Sequence, residues 1–218
     1  SDFNDDDFKK FYPKDEEGAE IGSEVNSLIC DNDGNIWIGT DDGVGVAYNP
    51  DDFYETDFYF TRIKYTAQIE DTIITNYLLK GKSIKSIAVD GANRKWFGTE
   101  RNGVFLMSSE GTKEILNFNT VNSPLPSNNI IAISINHKTG EVFFLTTKGL
   151  ISYRAEATKG NSEFEDVYVF PNPVRESYSG LITITGLVDN VNVKITDIAG
   201  NIVFETTVFM TYNHLLER

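Results

Sequence analysis

The residues best placed to bind a metal ion lie in Asp31-Asn32-Asp33-Gly34-Asn35, where alternate side chains could offer oxygen ligands to calcium. An EF-hand calcium loop also needs glycine at its sixth position and glutamate at its twelfth, where this chain has Ile36 and Asp42. Segments rich in strand-forming residues flank the motif, whereas an EF-hand needs helices. Because Asp-Gly and Asn favour tight turns, the pattern predicts a hairpin turn rather than a calcium site.

Catalytic side chains are scarce. The chain has two histidines, His137 and His214, and neither has a cysteine or aspartate at a ligand spacing. Cys30 is the single cysteine, so it can form no intrachain disulfide, and its alternation with Leu28 predicts a buried thiol. We therefore expect no catalytic residue, no metal site and no cofactor, and a protein that is not an enzyme.

Composition and charge limit the class of partner. Asp and Glu number 33 against 19 Lys and Arg, which gives a formal net charge of -14. Nucleic acid and anionic bilayers would repel such a chain as a whole. Two basic pairs lie beside aromatic positions, Arg94-Lys95 and Arg101-Asn102. They could contact an anionic glycan, although we expect solvated turns at both.

Frequent Val, Ile, Thr and aromatic residues, with no long helical period, predict an almost all-β protein. No segment approaches the ~20 apolar residues of a membrane helix.

Three copies of one motif occupy residues 25–48, 84–107 and 130–153. Each copy begins with a segment in which apolar and other residues alternate, followed by a turn that contains Gly or Asn. An aromatic residue, a threonine and a second glycine come after this turn. The aligned positions are Trp37, Trp96 and Phe143, then Thr40, Thr99 and Thr146, then Gly43, Gly103 and Gly149. The repeat length is near the ~40–50 residues of a propeller blade. Gly39 and Gly98 are expected where neighbouring backbone segments approach closely, because glycine has no side chain.

These copies resemble the two-component-regulator-type propeller repeat, most closely at Asn35-Ile36-Trp37-Ile38-Gly39-Thr40. The third copy departs from the pattern, with Leu145 in place of the glycine. The resemblance implies a partial β-propeller over residues 1–153, with about three four-stranded blades. Trp37, Trp96 and Phe143 should then occupy equivalent, largely buried positions.

The composition changes after Tyr153. Residues 154–163 are polar and predict a linker, and residues 164–218 show plain alternation in short runs. The runs include Pro171-Asn172-Pro173 and a segment carrying Lys194, Asp197 and Gly200. These motifs are similar to the C-terminal sorting domain of the Bacteroidetes type IX secretion system, which implies an Ig-like β-sandwich. Residues 211–218 match none of its closing strands, so we expect a truncated, incomplete sandwich with an open edge near 202–212.

Together the two resemblances imply a non-enzymatic surface component of the type IX secretion and attachment machinery, on the exterior of the outer membrane. In that family the partners are the sortase and other attachment-complex proteins, and the ligand is anionic lipopolysaccharide. Two alternatives remain open. One is the glycan-sensing propeller of a hybrid two-component sensor, and the other is the non-catalytic tail of a secreted glycan-active protein.

Overall fold

A computed structural model describes residues 10–69, 72–155, 167–170, 182–185, 187–188, 191–208 and 214–216. Within these residues the secondary structure consists of β-strands and one 3-10 helix, Pro50–Tyr54, which confirms the predicted all-β class. The chain forms two compact units. The first comprises Ser1–Val89, Asn93–Ile133 and Phe144–Ile151, and the second comprises Asp90–Ala92, Ser134–Phe143 and Ser152–Arg218.

The first propeller sheet has the strand order β1-β2-β3, with β1 at Val25–Cys30, β2 at Ile36–Thr40 and β3 at Gly43–Ala47. Both pairings are antiparallel. The fourth strand of this blade is reduced to one bridge, in which Thr61 exchanges two backbone hydrogen bonds with Val46, at 2.7 and 3.0 Å.

The spacing between the first two motif copies is long because extra structure lies between them. The 3-10 helix is followed by a hairpin of β4, Lys64–Ile69, and β5, Thr72–Tyr77. A cluster of aromatic rings packs the segment that leads to this hairpin, with Phe58 5.2 Å from Phe53 and 5.4 Å from Phe60.

The second sheet has all four strands in the order β6-β7-β8-β9. They are Ile84–Val89, Lys95–Thr99, Val104–Met107 and Glu114–Phe118. The third sheet has the order β10-β11-β12, with strands at Ile130–Asn136, Glu141–Thr146 and Gly149–Arg154. Residues 156–166, where its fourth strand would fall, lie outside the described residues. The predicted partial propeller is therefore present, with all four strands visible in the second blade.

The C-terminal strands form two antiparallel sheets. One has the order β13-β14-β17, with strands at Tyr168–Phe170, Ile182–Thr185 and His214–Leu216. The other pairs β15, Val191–Thr196, with β16, Ile202–Val208. Ile184 of one sheet belongs to a small core with Val191 and Val193 of the other, as a β-sandwich requires.

Residues 211–218 match none of the family's closing strands, yet part of this segment pairs in the sandwich. β17 pairs with β14 through His214–Leu216. Strand pairing uses backbone groups, so a segment can close a sheet without matching the family motif.

The main core of the first unit lies between the first and second sheets. Ile84 and Ile87 of β6 pack there with Trp37 of β2. The ring of Trp37 lies 6.1 Å from that of Phe97, and the ring of Trp96 lies 5.6 Å from that of Phe144. The same contact therefore recurs, because each tryptophan meets the ring that follows the aligned aromatic position in the next copy.

The predicted burial of the thiol is wrong. Cys30 is exposed, and Leu28 on the same face of β1 is 67% exposed. Their aligned counterparts in β6 and β10 include Ile87 and Ile133, which are buried. Those two residues pack against the preceding sheet, and in the described part of the chain no propeller sheet precedes β1.

Candidate functional site

The threonines and second glycines of the repeat close one hairpin turn in each copy. The hydroxyl of Thr40 donates to the carbonyl of Gly43 at 3.1 Å, and Thr99 to Gly103 at 2.8 Å. Thr146 makes the same bond to Gly149 at 2.8 Å. All three glycines have positive φ, which explains the residue type. These six motif residues therefore shape turns.

Gly39 and Gly98 lie where an isoleucine of the next copy approaches. A Cβ atom at Gly39 would lie 2.6 Å from Cγ2 of Ile84, and one at Gly98 would lie 2.5 Å from Cγ2 of Ile130. Both distances are too short for a side chain. The space left by each glycine therefore accepts the first strand of the following sheet.

The aligned aromatic residues differ in burial. Trp37 and Trp96 are 1% and 0% exposed, whereas Phe143 is only half-buried. The prediction of three largely buried rings thus applies to the two tryptophans. Each of these is covered by a ring of the following propeller sheet, and no further propeller sheet follows β12 among the described residues.

Asp31 is the centre of a hydrogen-bond network in the first turn. Its Oδ1 accepts from the backbone amides of Asp33 and Asn35, at 3.0 and 2.9 Å. Its Oδ2 accepts from Nε1 of Trp37 at 2.8 Å and pairs with Nζ of Lys95 at 3.0 Å. The oxygens that resembled a calcium loop are thus used inside the protein. Among the described residues, no three His, Cys, Asp or Glu side chains come together as metal ligands.

Lys95 is fully buried, so the expectation of a solvated turn at Arg94-Lys95 is wrong for this residue. Its ammonium donates to the carbonyl of Ser109 at 2.6 Å and lies 4.6 Å above the ring of Trp37. The sequence did carry a signal for the burial of Lys95. Its aligned position in the repeat is apolar in the other two copies, where it is Ile36 and Val142.

The environment shifts the titration of both partners. Burial raises the pKa of Asp31, but hydrogen bonds from Lys95, Trp37 and Asn35 together outweigh it and leave the pKa below the ordinary 3.8. Burial lowers the pKa of Lys95, and the contacts with Asp31 compensate for only part of that effect. The carboxyl group of Asp31 is therefore ionised at neutral pH.

Asn93 joins the turns of the first two copies. Its Oδ1 accepts from the amide of Asn32 at 3.0 Å, and its Nδ2 donates to Asp33 Oδ2 at 2.6 Å. Asn93 has a φ of 54°, at the turn position where Gly34 has 85°. Asparagine tolerates this conformation, so here it replaces the glycine and supplies the link between repeats.

A groove in the first unit, which we call the Arg101 groove, has a volume of about 690 Å³. Its walls come from the segment 76–82, the turn at Arg101-Asn102, parts of β8 and β9, and the connection that leads from β9 to β10. Its charged side chains are Lys80, Lys82, Arg101 and Glu114. The expectation of a solvated turn holds for Arg101, whose side chain is 84% exposed.

The sorting-type motif is described only in part, since Pro171, Asn172 and Pro173 lie outside the described residues. Lys194 forms an ion pair with Glu205 across β15 and β16 at 3.0 Å. Asp197 accepts from the amides of Ala199 and Asn201 at 2.8 and 2.9 Å, and Gly200 has a φ of 87°. The Asp197–Asn201 turn thus repeats the hydrogen bonds of the Asp31–Asn35 turn. Hydrogen bonds from Asn201 hold the pKa of Asp197 below its ordinary value.

Comparisons with known proteins agree with this architecture. Residues 20–42 match the family model of the two component regulator propeller. Among solved structures, the chain is similar to PorZ, an essential bacterial surface component of the type-IX secretion system of Porphyromonas gingivalis, with 31% identity and a TM-score of 0.61. It is also similar to the extracellular domain of a putative one component system of B. thetaiotaomicron, with 20% identity and a TM-score of 0.45. A comparison with curated proteins gives no match.

The extent of these matches is unequal. The PorZ match covers 92% of this chain but 27% of PorZ, and the sensor match covers 85% of this chain and 23% of its counterpart. The chain thus spans about a quarter of each of these proteins. Residues 20–42 thus match a repeat of the two component regulator propeller, and the chain is similar to PorZ over nearly all its length. In the described part of the chain, no helix has the length and apolar character of a membrane span.

Proposed function

We propose that this chain belongs to a non-enzymatic surface protein of the type IX secretion and attachment machinery. The observation that carries the proposal is the 31% identity to PorZ across 92% of the chain. A match of that extent includes residues of both the propeller sheets and the C-terminal sheets formed by β13–β17, whereas the family model covers only residues 20–42. The protein would lie on the exterior of the outer membrane.

In this proposal the protein binds anionic lipopolysaccharide and assists the sortase and other attachment-complex proteins in anchoring cargo. The Arg101 groove supports the ligand part, because it gathers three cationic side chains on a chain of net charge -14. This role requires no catalysis by the protein, because the protein would hold lipopolysaccharide and present it to the sortase.

Deletion of the gene in its own bacterium, followed by fractionation of secreted cargo, tests the secretion role. We expect cargo to lose its surface attachment, and complementation with the full gene to restore it. Purified full-length protein should retain anionic lipopolysaccharide on beads better than lipopolysaccharide from a strain without the anionic chain. Normal cargo anchoring in the deletion strain would overturn the proposal.

A sensor propeller is the second candidate, and the match of residues 20–42 to the two component regulator propeller favours it. A sensor predicts a different deletion phenotype. Transcription of a glycan-utilisation operon would stop responding to its glycan, and cargo would remain anchored.

A further inference from the structure

We infer that the Arg101 groove is the binding site for an acidic saccharide chain, one that carries carboxylate or phosphate groups among its hydroxyls. The inference rests on the proposed function, because it assigns the anionic ligand of that proposal to particular residues of the first unit. Its volume of about 690 Å³ falls within the ~300–1,000 Å³ of ligand pockets.

The charge of the groove contrasts with that of the surrounding chain. Residues 15–61 contain thirteen Asp and Glu and no Lys or Arg. The groove, in contrast, has three cations, Lys80, Lys82 and Arg101, against the single carboxylate Glu114. An anion approaching this unit is therefore repelled by much of the first blade and attracted to the groove.

The three cations are available to a ligand. No carboxylate forms an ion pair with Lys80 or Lys82 in the part of the chain that the structure describes. Their ammonium groups instead lie over aromatic rings, Lys80 at 5.8 Å from the centroid of Tyr77 and Lys82 at 5.8 Å from that of Phe105. Arg101 is 4.0 Å from Glu100, at the limit of an ion pair, and both side chains are exposed. An incoming anion therefore has little internal pairing to displace.

One wall of the groove is held in place by asparagines. Asn117 donates to the carbonyl of Val104 at 3.1 Å, and Asn119 donates to Asn117 Oδ1 at 3.2 Å. Asn122 donates to the carbonyl of Asn117 at 2.9 Å. These bonds fix the connection from β9 to β10 without a ligand, so binding would order little of the chain.

Other polar groups on the walls suit hydroxyls. The amide oxygen of Asn128 accepts from the backbone of Thr120 at 2.8 Å, which leaves its Nδ2 hydrogens to donate. Asn102 also lines the groove, next to Arg101, and can donate and accept. Cations for acidic groups and amides for hydroxyls are the two complements that an acidic saccharide needs.

The aromatic rings argue against single-stranded nucleic acid. Base binding uses free ring faces for stacking, whereas ammonium groups lie over Tyr77 and Phe105. An acidic peptide shares the negative charge but lacks the dense hydroxyls, so it serves as a competing outcome of the test.

The test uses the full chain and oligogalacturonate, with its fully methyl-esterified form as a neutral probe on the same sugar backbone. Binding is measured by calorimetry at low salt, with oligoglutamate as the acidic peptide. Lys80→Gln with Arg101→Gln removes two exposed cations of the groove. Lys113→Gln with Lys138→Gln removes two exposed cations in turns outside it and is the matched control.

We expect the wild type and the control variant to bind oligogalacturonate and not the ester. The groove variant should bind about tenfold more weakly or worse, since two charge contacts of ~0.7 kcal/mol each correspond to that factor. Equal binding by the groove variant would overturn the site, while retained lipopolysaccharide binding by the same variant would leave the proposed function standing. Tighter binding of oligoglutamate would overturn the saccharide class. Failure of the wild type to bind lipopolysaccharide would count against the proposed function itself.

Discussion

At the scale of single residues, the Asp31–Lys95 pair links the first two repeats. Both side chains are buried, and the pair joins the first turn of one sheet to β7 of the next. Desolvating two charges is costly, so such a pair adds little stability over an apolar pair but penalises a missing partner heavily. Trp37 belongs to the same network, through its indole hydrogen bond and the ammonium above its ring.

Removing only one of the two charges should therefore be severe. Lys95→Met leaves the Asp31 carboxylate buried without its cation, and we expect a loss of about 3–5 kcal/mol in the free energy of unfolding. The double variant with Asp31→Asn should lose less than Lys95→Met alone. Urea unfolding of both variants measures the coupling. Lys85→Met, which removes a half-exposed lysine, is the control, and an equal loss there would contradict the argument.

The same network predicts how stability depends on pH. The pKa of Asp31 is lower in the folded protein than the ordinary 3.8, so its ionised form stabilises the fold above that value. This contribution should disappear as the pH falls below about 3.8 towards the folded-state pKa. Urea unfolding at pH 7 and at pH 3 should show the wild type losing its advantage over Asp31→Asn. A constant difference between the two proteins would contradict the prediction.

At the scale of elements, close packing between sheets explains which residue lies two positions after the aligned aromatic residue of each repeat. Gly98 has Ile130 against it, so a side chain there would overlap β10. Leu145 occupies the aligned position of β11 and is 41% exposed. The departure of the third copy from the repeat thus falls where no isoleucine of a following propeller sheet is described.

Gly98→Val should therefore destabilise the protein, whereas Leu145→Val should not. Overpacking typically costs about 1–3 kcal/mol, and an exposed strand position tolerates valine within about 0.5 kcal/mol. Thermal unfolding of the two variants measures the difference. Gly98→Val and Ile130→Ala combined should cost less than the sum of the two single changes, because the two residues are in contact. Equal effects of the two valines would disprove the packing role.

At the scale of the whole molecule, the polar composition of residues 154–163 predicts a linker between the propeller sheets and the C-terminal sheets formed by β13–β17. In this C-terminal part, large apolar side chains such as Ile198 and Val203 are exposed, and the small core includes Ile184 and Leu187. We therefore propose that residues from 164 onward are less stable than the propeller sheets.

Limited proteolysis tests this order of stability. We expect the first cuts within 155–163 and later cuts within the C-terminal fragment, because a polar linker offers backbone that a protease can bind. Mass spectrometry of the fragments locates the cuts. Early cleavage inside 84–107 with an intact C-terminal fragment would reverse the proposed order.

The sequence by itself determined the features that depend on neighbours along the chain. Alternation defined the strands, the threonine and second glycine of each repeat marked its second hairpin, and Asp31 with Gly34 and Asn35 marked the first. These follow from backbone conformation and from hydrogen bonds that span four residues or fewer, so local pattern was sufficient.

Only the tertiary structure decided burial and the grouping of distant side chains. Lys95 is buried because Asp31, 64 positions earlier, supplies its counter-ion. Cys30 is exposed although its alternation resembles that of a core strand, because burial depends on what packs against β1. The Arg101 groove combines the segment 76–82 with residues up to Asn128. Each of these depends on which sheets become neighbours, and the one-dimensional pattern of polar and apolar residues carries no term for contacts between distant segments.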